Sequence, residues 1–414
     1  MESRTLAGLF VPRQEAGARR SHTLLVMDFA LTDEQKMILG VTREFVRKEL
    51  LPLEGQVSKA EIENRTFPDP QTYRDLQLKA RSAGLWGLQT PEEYGGANVG
   101  QLLAALITME TARALVRFNY GGSADNILYA ATEEQKQRYL IPTIEGERHS
   151  CFALSEPDTG SDATNIKTTA IKRNGSWVLN GRKIFISSAE AADFAIVFAV
   201  TDKEKRHNGG ITAFLVDRDM GWTSSPIPLM SSWSASELYF DNVCVPQENV
   251  LGQVGRGFEL AMRWIGGGRL MIPARAVGQA QRLLELGLEY AKQRHAFGAP
   301  IADYQAIQWM LADSAVEIEQ VKWLTLRAAW KADQGQDVRH EASMAKLSGA
   351  QMVWRVADRM LQVHGGMGYT REVPIERVLR EVRVYRIFEG TDEIQKRSIA
   401  RNLLRGHAPI GAWD

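Results

Sequence analysis

Hydrophobic positions fall into three zones along the chain, each with its own period. From about residue 32 to 149 apolar side chains recur every three or four residues, the spacing of helices with a buried face. Met37, Val41, Phe45 and Leu50 recur at near-helical spacing, as do Leu102, Leu106, Met109 and Ala112. Thr32 ahead of Asp33-Glu34-Gln35 predicts a capped helix start. Pro91 and Gly95-Gly96 break the zone into shorter pieces. From about 150 to 254 the period shortens to two. Phe194 to Val200 and Ile211 to Val216 are rich in β-branched and aromatic residues, and Asn174-Gly175 and Asn180-Gly181 read as turns on either side of Trp177-Val178-Leu179. Short strands with turns between them predict a compact β-sheet domain. From about 255 longer helices return. Ile307, Leu311, Ser314, Ile318, Val321, Thr325 and Ala328 step by three and four, as do Leu347, Ala350, Trp354, Ala357, Leu361 and His364, which predicts a helical bundle.

The order helices, sheet, helices gives an α+β chain with an expected division at 27–149, 150–254 and 255–410. A length of 414 residues suits two or three domains. Residues 1–26 stand apart. They carry Arg4, Arg13, Arg19 and Arg20 without an amphipathic pattern, and Glu2 and Glu15 sit poorly in an acid-poor targeting segment. The expectation is a disordered extension, or an upstream start ahead of a working start at Met27, with a cleaved targeting segment as the third reading.

Charge and cysteines narrow the classes. Lysine plus arginine equals aspartate plus glutamate at 50 each, so neither nucleic acid nor a membrane surface is the default partner. No apolar run reaches the roughly 18–20 residues of a membrane-spanning helix, so no insertion is expected. Cys151 and Cys244 lie far apart with no metal spacing and read as two free thiols. The seven histidines form no HxxxH or HExxH pair, and no metal site is expected. No GxSxG elbow and no early strand–GxGxxG–helix unit is present. The cluster Gly252, Gly255 and Gly257 reads as a turn between domains rather than a phosphate cradle.

Four segments concentrate polar groups where the pattern changes. Phe152-Ala153-Leu154-Ser155-Glu156-Pro157-Asp158-Thr159-Gly160-Ser161-Asp162 passes abruptly from apolar to small and polar residues, either a strand closed by a tight turn or a rim that binds a polar planar ring or a phosphate. In Lys183-Ile184-Phe185-Ile186-Ser187-Ser188, alternation puts Phe185 and Ser187 on one face, which suits a flat heterocycle or a buried sheet face equally. Gln362-Val363-His364-Gly365-Gly366-Met367-Gly368-Tyr369 reads as a helix end with glycine caps, or as a close approach of backbone to a ligand; His364 falls on the buried stripe and reads as packed. Glu389, between Phe388 and Gly390, precedes a helix start at Thr391-Asp392-Glu393; an aromatic and a glycine beside it leave room for poor solvation and a raised pKa.

Together, and in this order, these segments resemble the FAD-dependent acyl-CoA dehydrogenase family from about residue 30 to 405. Ala153-Leu154-Ser155-Glu156-Pro157 with Gly160-Ser161-Asp162 is similar to one family signature, and Gln362 to Gly368 with Glu389-Gly390-Thr391 to another. The resemblance implies a helical N-terminal domain, a middle β domain and a C-terminal four-helix bundle, with FAD between the latter two and completed by a neighbouring subunit. It implies FAD contacts at Phe152, Leu154, Ser155, Ser161, Phe185 and Ser187. Arg294, Phe297, Gln305, Gln362, Gly365 and Gly366 are implied to meet the neighbour's FAD, and Thr391 and Glu393 the adenosine-diphosphate part of FAD. Glu389 is implied to be the base that takes a proton from the carbon beside an acyl-CoA thioester, with Ser161, Arg269 and Gly390 at the substrate. Some relatives place the base just before the residue matching Arg269, where this chain has Gly268. Gly266, where relatives often carry aspartate, and Met230-Ser231-Ser232-Trp233, which lacks the usual Gly-x-Arg, depart from the family pattern.

The implied partners are an acyl-CoA, an electron-transfer flavoprotein as acceptor, and further copies of this chain in a dimer or tetramer. The alternatives are an acyl-CoA oxidase-like flavoenzyme and a flavin-binding protective protein of low turnover. The expected compartment is cytoplasmic, or the mitochondrial matrix if residues 1–26 are a targeting segment.

Overall fold

The structure is a computed structural model that describes residues 30–63, 65–231 and 234–408. The expectations for residues 1–26 and the start at Met27, and those resting on Ser232 and Trp233, lie outside the described residues.

The first helix, Asp33–Phe45, begins as its sequence predicts. The Thr32 hydroxyl accepts from the Gln35 N–H and the Gln35 side chain accepts from the Thr32 N–H, both at 3.1 Å. Its buried face differs from the predicted row. Met37 and Val41 are exposed, while Leu39, Thr42 and Phe45 are buried. A strict four-residue step drifts by about 40° per step around a helix, so a long row cannot stay on one face. A π-helical turn, Val46–Leu50, then rephases the chain and buries Val46 and Leu50.

Among the described residues, eight strands form the sheet. Ser176–Ser187 runs antiparallel to Thr169–Arg173 and to Ala235–Pro246. Phe194–Val200 pairs antiparallel with Ile211–Asp217 and parallel with Ser150–Ala153. Asn174 and Gly175 both take positive φ, 49° and 83°, as a two-residue hairpin demands. Asn180-Gly181 corrects the second predicted turn: the strand continues through it with a register shift between Leu179 and Gly181. Gly181 takes φ 153° against Thr168, where a Cβ would collide with the Thr168 side chain. Glycine here serves a bulge and a close backbone approach.

Phe194–Val200 and Ile211–Asp217 are buried throughout because both sheet faces are covered. One face packs Phe194, Ile196, Phe198 and Leu215 against Ile127, Tyr139, Leu140 and Ile144 of the N-terminal region and against Leu260 and Ala261. The bundle consists mainly of Gly257–Gln293, Gln305–Asp333 and Arg339–His364, with Asp392–Leu404 packed on the last. Its core continues into Ala105, Met109 and Leu115 of the N-terminal region. The glycines at the 255 boundary serve packing. A Cβ on Gly255 would strike the Gly209 carbonyl, and one on Gly257 would lie 2.5 Å from the Ala213 nitrogen. The long helix can therefore start against the sheet only without side chains at these points.

Candidate active site

Glu389 lies between Arg383–Arg386, a short 3-10 turn, and the helix Asp392–Leu404. The Thr391 hydroxyl caps that helix, accepting from the Ile394 N–H at 3.3 Å. Glu389 has φ 53°, a left-handed conformation that a residue with a Cβ resists, and Gly390 follows at φ 85°. Three side chains, through four hydrogen bonds, fix this strained pair. The Arg269 Nε donates to the Glu389 carbonyl at 3.2 Å, the Gln395 amide donates to the Glu389 and Gly390 carbonyls at 3.0 Å each, and the Lys346 Nζ donates to the Gly390 carbonyl at 2.6 Å.

Glu389 is half-buried, and its Oε2 is a buried atom with no hydrogen-bond partner in the chain. Burial pushes its pKa up to about 7, against the opposing charges of Arg269 and Lys346. A carboxylate in this state is a stronger base than one in water, poised near neutral pH. It lies against Gly268: a Cβ there would stand 3.0 Å from the Glu389 Cδ and 3.2 Å from Oε2. Glycine at 268 makes space for the carboxyl at the very position where a rival base was considered.

The sequence placed Arg269 near Glu389, and the structure joins them. Its guanidinium also lies close to Gly390, 3.1 Å from where a Cβ would stand. Pro273, one turn on, lacks the N–H that would bond the Arg269 carbonyl, so the helix ladder is interrupted beside the site. Lys346 is the residue that sequence reasoning missed. It lies on the helix Arg339–His364, fully buried, with burial pushing its amine down to about 8 despite the carboxylates of Asp392, Glu389 and Glu393. Its signal was a lysine at a position of the helix where the stripe expects an apolar side chain.

The β domain supplies a rim. Leu154 is buried and Phe152 stacks on Trp264 at 4.0 Å between ring centres. The Ser155 carbonyl accepts from the Ile184 N–H at 2.9 Å, tying the rim to the neighbouring strand. Behind it, Glu156 accepts from the Lys183 Nζ at 2.7 Å and from the Lys167 and Thr168 N–H groups at 2.5 and 2.9 Å. Burial disfavours the Glu156 charge, but Lys183 and these bonds hold its pKa below the usual carboxylate value. Ser161 is exposed. Phe185 and Ser187 share the exposed side of their strand; Phe185 is 61% exposed at φ 58°, beside a register shift between Lys183 and Ile186.

The remaining candidates gather elsewhere. Arg294 ends the long helix, and Phe297, 98% exposed at φ 50°, forms the tip of the small hairpin His295–Ala296 with Ala299–Pro300. Gln305 opens the next helix. Gln362, Gly365 and Gly366 are exposed at the end of Arg339–His364, with Gly365 at φ 57°. Tyr290, four residues before Arg294, stacks on His364 at 4.2 Å, so these two segments are neighbours. His364 is packed, as expected: it is buried, its Nδ1 is 2.8 Å from the Met360 carbonyl, and burial lowers its pKa. Glu393 is exposed in the first turn of its helix. Cys151 and Cys244 are both free thiols.

Residues 32–147, 151–243 and 255–404 match in turn the N-terminal, middle and C-terminal domain models of acyl-CoA dehydrogenases. This chain belongs to the acyl-CoA dehydrogenase family. It is 37% identical over 406 residues to (R)-benzylsuccinyl-CoA dehydrogenase of Thauera aromatica, covering 93% of this chain and 100% of that relative. The solved butyryl-CoA dehydrogenase of Megasphaera elsdenii is 34% identical with a TM-score of 0.81, over 92% of this chain and 100% of that one. A solved FAD complex of PigA is 29% identical with a TM-score of 0.82, over the same shares. The three-domain fold, the α+β class and the FAD dependence of an acyl-CoA dehydrogenase follow. The residues present suit that cofactor: an exposed aromatic held out from the sheet beside a hydroxyl offers a face for a flat ring, and the Glu389 Oε2 is a buried polar atom without a partner in the chain.

Proposed function

We propose that Glu389 is the base of an FAD-dependent α,β-dehydrogenation that converts an acyl-CoA to its trans-2-enoyl-CoA. The observation that carries this is the Glu389 carboxyl, with a buried, unpartnered Oε2 and a pKa raised to about 7. Glu389 takes the proton on the carbon next to the thioester carbonyl. Its strained backbone, held by Arg269, Lys346 and Gln395, fixes where the carboxyl points, and its own N–H stabilises charge that develops on the thioester oxygen. Arg269, Gly390 and Ser161 line the substrate. When bound, FAD accepts the hydride from the next carbon.

Phe152, Leu154, Ser155, Ser161, Phe185 and Ser187 hold the FAD of their own subunit. Arg294, Phe297, Gln305, Gln362, Gly365 and Gly366 meet the FAD of a neighbouring subunit, and Thr391 and Glu393 meet the adenosine-diphosphate part of FAD. Their support is the exposure of Phe297, Gln362, Gly365 and Gly366 on adjacent segments, groups that gain burial in an assembly. A dimer is the least assembly this needs, and a tetramer fits the family. An electron-transfer flavoprotein is the acceptor.

Purified protein loaded with FAD should be yellow and should bleach anaerobically with a suitable acyl-CoA. Glu389→Gln should keep the flavin and bleach at least about a hundredfold more slowly. Bleaching of that variant at the native rate would refute the base assignment. Rapid reoxidation of the reduced protein by air would favour the oxidase alternative.

A further inference from the structure

We infer that the ion pair Arg386–Asp392 is a clamp that positions the base, which makes both side chains positioning residues of the reaction. The inference rests on Glu389 acting as the base and adds how its loop is kept closed.

Glu389 stands midway between the two partners, three residues after Arg386 and three before Asp392. Arg386 ends the 3-10 turn Arg383–Arg386, and Asp392 opens the helix Asp392–Leu404. The Arg386 Nε donates to the Asp392 Oδ2 at 2.7 Å, so one ion pair ties together the two ends of the loop 387–391. In the middle of that loop Glu389 and Gly390 both take positive φ. A residue with a Cβ holds such a backbone only where its surroundings fix it.

The bundle anchors the clamp. The Gln351 amide donates to the same Asp392 oxygen at 3.2 Å. Gln351 lies on Arg339–His364, the helix that also supplies Lys346 to the Gly390 carbonyl. Their spacing corresponds to about 7.5 Å along the helix axis, so one rigid element holds the loop at two points. Burial lowers the Lys346 pKa, and Asp392 is the strongest of the charges that oppose this.

Simpler roles do not account for Asp392. An acid in the first turn of a helix ordinarily serves the free N–H groups there. Here the Thr391 hydroxyl takes the cap, and Asp392 bonds only Arg386 and Gln351 among the described residues. Asp392 is 2% exposed, and its Oδ1 is a buried atom without a partner in the chain. A buried ion pair is a weak stabilising device, since apolar side chains of like size often serve stability as well or better. A buried charge joined across the loop of the base has its use in geometry.

The test uses FAD-loaded, full-length protein and the variants Arg386→Met, Arg386→Lys, Asp392→Asn and the double Arg386→Met/Asp392→Asn. A panel of straight-chain, branched and aryl-substituted acyl-CoAs is mixed anaerobically with the native protein, and the fastest bleacher is kept for the variants. Arg386→Met should lower the limiting bleaching rate by about tenfold or more, the order that a 1 Å misplacement of a reacting group costs. Affinity for the matching CoA thioether, which lacks the carbonyl, should change by about twofold or less in calorimetry. Arg386→Lys should recover part of the rate. Arg386→Met also leaves Asp392 as an uncompensated buried charge, so it should melt earlier than the native protein. Adding Asp392→Asn should restore most of that loss, yet the rate should stay within about threefold of Arg386→Met, because the clamp is absent in both.

A double variant whose rate recovers together with its melting temperature would overturn the inference and leave the pair a structural one. A native rate in Arg386→Met would overturn it too. If Arg386→Met does not fold, the double variant, which carries no uncompensated charge, supplies the rate comparison. Glu389→Gln separates this inference from the reading beneath it. Native bleaching in that variant removes the base itself. Slow bleaching there with native bleaching in the clamp variants removes only the clamp. A flavin that no acyl-CoA bleaches removes both.

Discussion

At Glu389 two unfavourable states coincide, a left-handed backbone and a desolvated carboxyl. Each persists only because the neighbours over-determine it. A base must be deprotonated to act, so its raised pKa has a signed consequence. In the free enzyme kcat/KM should fall as pH drops through about 7, rather than through the ordinary carboxylate range near 4.5, and should level off above it. A pH–rate profile in the substrate-limited regime checks this. Lys346 gives a second prediction. Its charge lowers the Glu389 pKa and its Nζ holds the Gly390 carbonyl. Lys346→Met should move the pH midpoint upward and lower kcat by about tenfold or more, since misplacing a reacting group by 1 Å costs of that order. Lys346→Arg should recover part of the midpoint, an outcome that a purely packing role would not give.

Among the elements, the strand Ser176–Ser187 matters most for the site. It carries Phe185 and Ser187 outward and Lys183 inward, beneath the Ser155 rim. The Lys183–Glu156 pair is buried on both sides. Removing one partner leaves the other as an uncompensated charge, which costs about 3–5 kcal/mol. Lys183→Met should therefore lower the melting temperature clearly and reduce the FAD retained on purification, measured by the ratio of flavin to protein absorbance. The alternation of this strand was legible in the sequence, and so was the shared face of Phe185 and Ser187. The reading of Asn180-Gly181 as a turn was not sustained, because turn residues also build bulges. Which of the two forms depends on Thr168 across the sheet, a contact that no local pattern encodes. Met37 and Val41 are exposed for another reason: a four-residue step drifts by about 40° around the helix, and the buried face runs through Leu39, Thr42 and Phe45 instead.

For the whole molecule, the three zones are joined through shared cores rather than strung on linkers. The sheet packs on both the N-terminal region and the start of the long helix, and the bundle core takes in Met109 and Leu115. Glu389 and the side chains that hold it thus come from three separate segments of the chain. Assembly belongs to this scale. If neighbouring subunits complete each FAD site, Phe297→Asp should weaken self-association and lower flavin content together, while circular dichroism stays unchanged, because the side chain is almost wholly exposed within one subunit. Sedimentation at graded protein concentration, with the flavin ratio measured across the same range, checks the coupling.

The sequence by itself determined the order of helices, sheet and helices, because periods of 3.6 and 2 are written in neighbouring residues. It also placed Glu389 ahead of a capped helix and named its surroundings through the family signatures. The tertiary structure decided what those residues experience. The space for the Glu389 carboxyl depends on Gly268, and its backbone on Arg269, Lys346 and Gln395. Desolvation and hydrogen bonding are properties of neighbours in three dimensions, and these neighbours are up to about 120 positions away in the chain.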